Sequence, residues 1–99
     1  MNEPKYQQFL KKEIKKRLPD AIILKNDANW LQGFPDFTIL YQDRYALLEI
    51  KRDEYAPVQP NQDYYIRKAD GWSVYSRFIF PENEKEVLDG LQRALASGR

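Results

Sequence analysis

Residues 33–53, GFPDFTILYQDRYALLEIKRD, decide the fold. Two runs rich in β-branched and aromatic residues, 36–41 and 44–51, flank the polar pair Gln42-Asp43, a pattern that predicts an antiparallel hairpin with a two-residue loop. Because side chains alternate faces along a strand, the loop fixes which residues meet. Counting outward, Tyr41 falls opposite Arg44 and Asp36 opposite Glu49, with Lys51 two residues further along the same face. One face then carries Phe37, Ile39 and Tyr41 against Ala46, Leu48 and Ile50, wholly apolar and suited to a core. The other carries Leu40, Thr38 and Asp36 against Tyr45, Leu47, Glu49 and Lys51, apolar near the loop and charged at the open end.

Working outward, residues 3–18 place Tyr6, Phe9, Leu10, Ile14 and Leu18 at helical spacing, with Pro4 in the first turn and Pro19 beyond the end. The run AIILK, 21–25, reads as a short buried strand, and NDANWLQG after it as a loop. Beyond the proline-containing loop RDEYAPVQPN, residues 62–69 form a helix with Gln62, Tyr65, Ile66 and Ala69 on one face. DGW marks a turn, 73–80 a strand, and 82–96 a final helix with Val87, Leu88, Leu91 and Leu95 inward and acidic residues in its first turn. The expected order is αβββαβα in one domain spanning residues 1–99, an α/β (α+β) architecture, with 97–99 (SGR) as a free tail.

Composition narrows the chemistry. A chain of 99 residues suits one domain, which buries about two-thirds of its unfolded surface. Sixteen Lys and Arg against 15 Asp and Glu leave a net charge of +1, so no overall field marks a nucleic-acid or membrane binder, and any basic patch must be local. Seven Tyr, five Phe and two Trp argue for an ordered domain. With neither Cys nor His, disulfides, thiolate nucleophiles, Cys/His zinc sites and Ser-His-Asp triads are excluded. Catalysis must then rest on carboxylates, Lys, Tyr and a hard cation. No leader-like apolar segment or membrane-length run occurs, so the expected setting is soluble, intracellular and cytoplasmic.

Two carboxylates facing each other across a strand pair, with Cβ atoms roughly 5 Å apart, repel and weaken a sheet. A divalent cation would compensate, since Mg²⁺ takes one or two carboxylates plus waters and phosphate oxygens. Lys51 beside it could orient a water or stabilise charge on a phosphate. The plainer alternative is that Lys51 simply neutralises Glu49 at a solvated strand end.

Pro35-Asp36 followed on the next strand by Glu49-Ile50-Lys51 resembles the PD-(D/E)xK nuclease motif, and the element order resembles that superfamily's restriction-endonuclease-like core, a mixed central sheet flanked by helices. The closer similarity is to small stand-alone VRR-NUC and Holliday-junction-resolvase-like nucleases, often encoded by phages. Their early helix Glu, G-x-PD, ExK and P-x-Q features reappear in order as Glu3, Gly33-Phe34-Pro35-Asp36, Glu49-Ile50-Lys51 and Pro60-Asn61-Gln62. The resemblance implies hydrolysis of DNA phosphodiesters with Mg²⁺ or Mn²⁺, the metal held by Asp36, Glu49 and the Ile50 carbonyl, and water positioned by Lys51. It also implies that Glu3 completes the site, with Glu13 as the substitute candidate, and that Gln62 lies near the catalytic centre. A nuclease-like module that binds nucleic acid or a protein partner without cutting is the alternative.

For the substrate, Lys25 and Arg52 flank the proposed site, and Lys5 and Lys12 belong to a lysine-rich first helix that could track phosphates or simply be solvated. Trp30 and Tyr55, in the loops on either side of the hairpin, could stack on bases or pack the core edge. Cutting a junction twice implies a homodimer, as in similar resolvases; Gly90 and SVYSRFIF are either part of its face or core packing.

Overall fold

The computed structural model describes residues 1–97 of the chain. In order, the elements are α1 (Glu3–Arg17), β1 (Ile22–Lys25), β2 (Phe37–Tyr41), β3 (Arg44–Ile50), α2 (Pro60–Gly71), β4 (Tyr75–Ile79), a 3₁₀ turn (Pro81–Asn83) and α3 (Glu84–Ala96). This is the expected αβββαβα order, an α+β fold with one mixed four-stranded sheet. The strands lie in the order β1-β2-β3-β4, antiparallel from β1 to β3, with β4 added parallel to β3. Parallel neighbours need a crossover, which α2 supplies.

The hairpin register is the one counted from the sequence: Tyr41 pairs with Arg44 and Phe37 with Leu48. Gln42 takes a left-handed φ of 55°, which lets so short a loop reverse the chain. Phe37, Ile39, Ala46, Leu48 and Ile50 are all buried, and with Ile79 they meet Tyr6, Leu10 and Ile14 of α1 and Val87, Leu88, Leu91 and Leu95 of α3 in one core. Those helical residues recur at three- and four-residue spacing, the stripe an amphipathic helix must bury.

Helix α1 begins where Asn2 Oδ1 accepts the Lys5 N–H at 2.9 Å, and it carries Lys15, Lys16 and Arg17 in its last turn, where the dipole favours cations. Past its end, Lys15 Nζ donates to the Pro19 and Ala21 carbonyls at 2.8 and 2.7 Å. That basic residue therefore secures the turn into β1.

Helix α2 covers the opposite sheet face chiefly over β3 and β4, burying Ile66 and Ala69. The half of that face over β1 and β2 stays open, which corrects one expectation. Strand β1 is an exposed edge and not a buried strand: Ile22 is 58% and Leu24 45% accessible. Sequence 97–99 was expected to be free, but the Ser97 N–H donates to Arg93 O at 3.2 Å and its carbonyl accepts from Arg44 at 3.1 Å. Gly98 and Arg99 lie outside the described residues. Gly90 is buried against Tyr75, whose hydroxyl donates to Val87 O at 2.9 Å; a Cβ at Gly90 would collide with that ring, so core packing accounts for the glycine.

Candidate active site

Asp36 immediately precedes β2, and extending the Phe37–Leu48 register by one residue sets it opposite Glu49. Its carboxylate reaches across the open end of the hairpin, where Oδ2 accepts the Ile50 N–H at 2.9 Å. In an extended strand a residue's N–H and C=O leave on the same side, so the Ile50 carbonyl also faces Asp36. Asp36 is itself held from β1: its carbonyl accepts the Asn26 N–H at 2.8 Å. The Asn26 side-chain amide clamps the flanking chain by donating to Pro35 O at 2.8 Å and Thr38 Oγ1 at 2.9 Å.

Glu49 lies under α2 and is only 4% exposed. Burial first, and then the charge of Asp36, push its carboxyl up to about 8, against the opposing pull of Lys51; a hydrogen bond with Asp36 and the charge of Glu3 add to the rise. The two carboxylates thus share a face, and the charge of Asp36 disfavours the charged form of Glu49. The Glu49 Oε2 accepts from Gln62 Nε2 at 3.0 Å and sits 4.0 Å from Lys51 Nζ.

Lys51 is held rather than solvated. Its ammonium donates to Gln62 Oε1 at 2.7 Å and to the Pro57 carbonyl at 2.9 Å. An ammonium has three hydrogens, so one remains to be directed at a water or a phosphate oxygen. Gln62 is the bridge: its amide nitrogen faces Glu49 and its amide oxygen faces Lys51, while that oxygen also accepts the Gln59 N–H at 3.0 Å as the side-chain half of a capping box that starts α2. A plain charge pair at a wet strand end does not describe this arrangement, because Lys51 is closer to Gln62 than to Glu49.

Among the described residues no three His, Cys, Asp or Glu side chains cluster as a ligand set. Glu3 therefore stands at the rim. Its charge is felt at Glu49, but it does not join Asp36 and Glu49 as a third ligand here. Glu13 pairs with Lys16 at 2.9 Å, one helical turn away on α1, so of the two acids Glu3 is the one whose charge reaches the site. A buried carboxylate at Glu49 and a half-buried one at Asp36, with a strand carbonyl on the same side, form a donor set that fits a hard divalent cation completed by water and substrate oxygens.

The flanking candidates divide. Trp30 and Tyr55 are 89% and 85% exposed, so neither packs the core edge. Arg52 is exposed beside the site and only loosely paired with Asp53, at 3.6 Å. Lys25 ends β1 next to Asn26, and its ammonium donates to Gln7 Oε1. Lys5 and Lys12 are exposed on α1. Of the other basic residues, Arg17, Arg67 and Arg77 each pair with a carboxylate, Asp89, Asp63 and Asp70 respectively.

Two polar residues of this region escaped sequence reading. Asn26 is indistinguishable from any loop Asn until β1 is paired with β2. Gln7 left a weak signal, since it lies one turn beyond Glu3 and is buried in the same helix stripe as Tyr6 and Leu10. Gly33, at φ 85°, allows the loop before Asp36 to touch α2, and a Cβ there would collide with Asn61. Comparisons of the chain with family models, with curated proteins and with solved structures find no match, so the site must be read from its own geometry.

Proposed function

We propose that this chain is a Mg²⁺- or Mn²⁺-dependent endonuclease of the PD-(D/E)xK type that hydrolyses DNA phosphodiester bonds, acting preferentially on branched DNA. The observation that carries the reading is the buried Glu49 facing the half-buried Asp36, with Lys51 locked beside it by Gln62. A sheet has no structural use for facing carboxylates, and sequence order matches that superfamily's motif.

In this reading Asp36, Glu49 and the Ile50 carbonyl would hold the metal ion, which would supply positive charge to a phosphate oxygen and lower the pKa of a water. Lys51 directs its remaining N–H at that water or at the phosphate. Gln62 keeps the Lys51 ammonium at a fixed distance from Glu49, and Asn26 keeps the chain at Asp36 in place. Glu3 adds negative charge at the rim and so favours a cation in the site. Lys25 and Arg52 are positioned to meet the DNA backbone on either side, with Lys5 and Lys12 further along α1.

No helix among the described residues is long and apolar enough to cross a membrane. A two-fold pair of chains would supply the two cuts a junction needs. The exposed apolar face formed by Ile22, Leu24 and Tyr45 supports such pairing, and light scattering of the purified protein tests it.

The decisive assay incubates the protein with linear duplex, single-stranded and four-way-junction DNA, in Mg²⁺, in Mn²⁺ and in EDTA, beside Asp36→Asn and Lys51→Ala. Cutting by the wild type alone, only with metal and fastest on the junction, is expected. If nothing is cut, or the variants cut equally well, the nuclease reading fails.

A further inference from the structure

Beside the carboxylate pair, between the 26–36 loop and the start of α2, lies a cleft of about 360 Å³. Four of its lining residues, Gln32, Gln59, Asn61 and Gln62, carry side-chain amides, and the other three carry no polar side chain. No charged residue lines it. We propose that this cleft is a nucleobase subsite that receives one unpaired base of the strand being cut; the proposal rests on the nuclease reading above and deepens it.

Chemistry and position both point to a base. A side-chain amide offers one donor and one acceptor side by side, the pattern displayed by base edges, and Asn and Gln are the residues that read such edges in pairs. A phosphate would call for cations, which this cleft lacks, whereas a neutral planar ring suits uncharged amides. Its volume is that of a small-ligand pocket, for which about 300 Å³ is the lower bound.

Gln62 belongs to both places. Its amide nitrogen is 3.0 Å from Glu49 while the residue lines the cleft, so a base seated there lies within one side chain of the proposed scissile phosphate. The loop that supplies Gln32 also carries Trp30, 89% exposed, and is held by an Asx turn in which Asp27 Oδ1 accepts the Asn29 N–H at 2.8 Å. An exposed indole on a fixed turn is a stacking platform for a neighbouring base. A base inside a duplex is stacked and paired and cannot enter, so occupancy selects strands with unpaired nucleotides, such as those at branch points.

The test needs no cleavage. Trp30 and Trp72 are the only tryptophans, so Trp72→Phe leaves Trp30 as the sole indole reporter. That protein is titrated in EDTA with single-stranded hexanucleotides of A, C or T and with a hexanucleotide of tetrahydrofuran abasic units bearing the same phosphates. At least one base-bearing strand is expected to bind about tenfold more tightly than the abasic one and to quench Trp30. The double variant Gln32→Ala, Asn61→Ala, which leaves the proposed catalytic groups untouched, should abolish that preference and leave abasic binding unchanged. Equal binding of abasic and base-bearing strands, or an undiminished preference in the double variant, overturns the subsite. A base preference in a protein that cuts no DNA would keep the subsite and sink the nuclease reading, and cleavage without any base preference would do the reverse.

Discussion

The β2–β3 hairpin presents two faces built from alternate residues of the same two strands. Toward α1 and α3 it offers Phe37, Ile39, Ala46, Leu48 and Ile50, all buried in a continuous apolar core. Toward α2 it offers Asp36, Glu49 and Lys51, with Gln62 linking the last two and Asp36 held by the Ile50 N–H. Burying each large apolar side chain on the first face stabilises the fold by about 1.5–3 kcal/mol, while holding two carboxylates together on the second costs stability. Strand alternation lets the core fix the position of the charged groups to the precision of its own packing. The site gains rigidity because its supporting atoms are one residue away in sequence and on the far side of the sheet.

Four measurements break or sharpen that contrast. Asp36→Asn is expected to lower metal-dependent cleavage by on the order of a thousandfold while circular dichroism and melting remain those of a folded protein; loss of folding instead would mean that the charged face is structural. On the other face, Leu48→Ala should cost about 3 kcal/mol in urea unfolding by leaving a cavity in the core, with cleavage per folded molecule nearly intact well below the midpoint.

Glu49 gives the third. Its carboxyl is raised to about 8 in the folded chain from an ordinary 4.5, so the folded state binds that proton more tightly. The resulting stability is fully present below pH 4.5 and is lost as pH rises through about 8. In EDTA, Glu49→Gln should therefore pull ahead of the wild type as pH climbs across this window, by on the order of 1–3 kcal/mol, and Mg²⁺ should shrink the gap by stabilising only the wild type. Parallel curves would deny that burial and Asp36 raise the Glu49 carboxyl. Last, Gln62→Ala frees Lys51 and should slow cleavage about tenfold, shifting the pH profile with little change in KM; an unshifted profile would reduce Gln62 to a helix cap.

Much of this was legible because the deciding information was local. A two-residue loop and strict alternation are enough to place Asp36 across from Glu49, and helical spacing is enough to find the stripes of α1 and α3. The burial of β1 was not legible. AIILK has the composition of a core strand, yet α2 lies chiefly over the β3–β4 half of the sheet, and nothing in five residues reveals where a later helix will lie. Asn26 and Gln7 share that limit, since each acquires meaning only from a partner on another element, as Lys25 does from Gln7. The cleft is a further step removed, because it exists only where the Gly33 turn touches Asn61.

The side-chain amide oxygen of Gln62, Oε1, accepts from both the Lys51 ammonium and the Gln59 backbone N–H that opens α2. The first turn of that helix is thus a sensor wired to the lysine. When the ammonium is drawn toward a bound phosphate, its pull on the shared oxygen changes, and the Gln59 amide feels the difference. Hydrogen exchange or the nitrogen chemical shift at that single backbone position would then report occupancy of the site in a protein that turns nothing over.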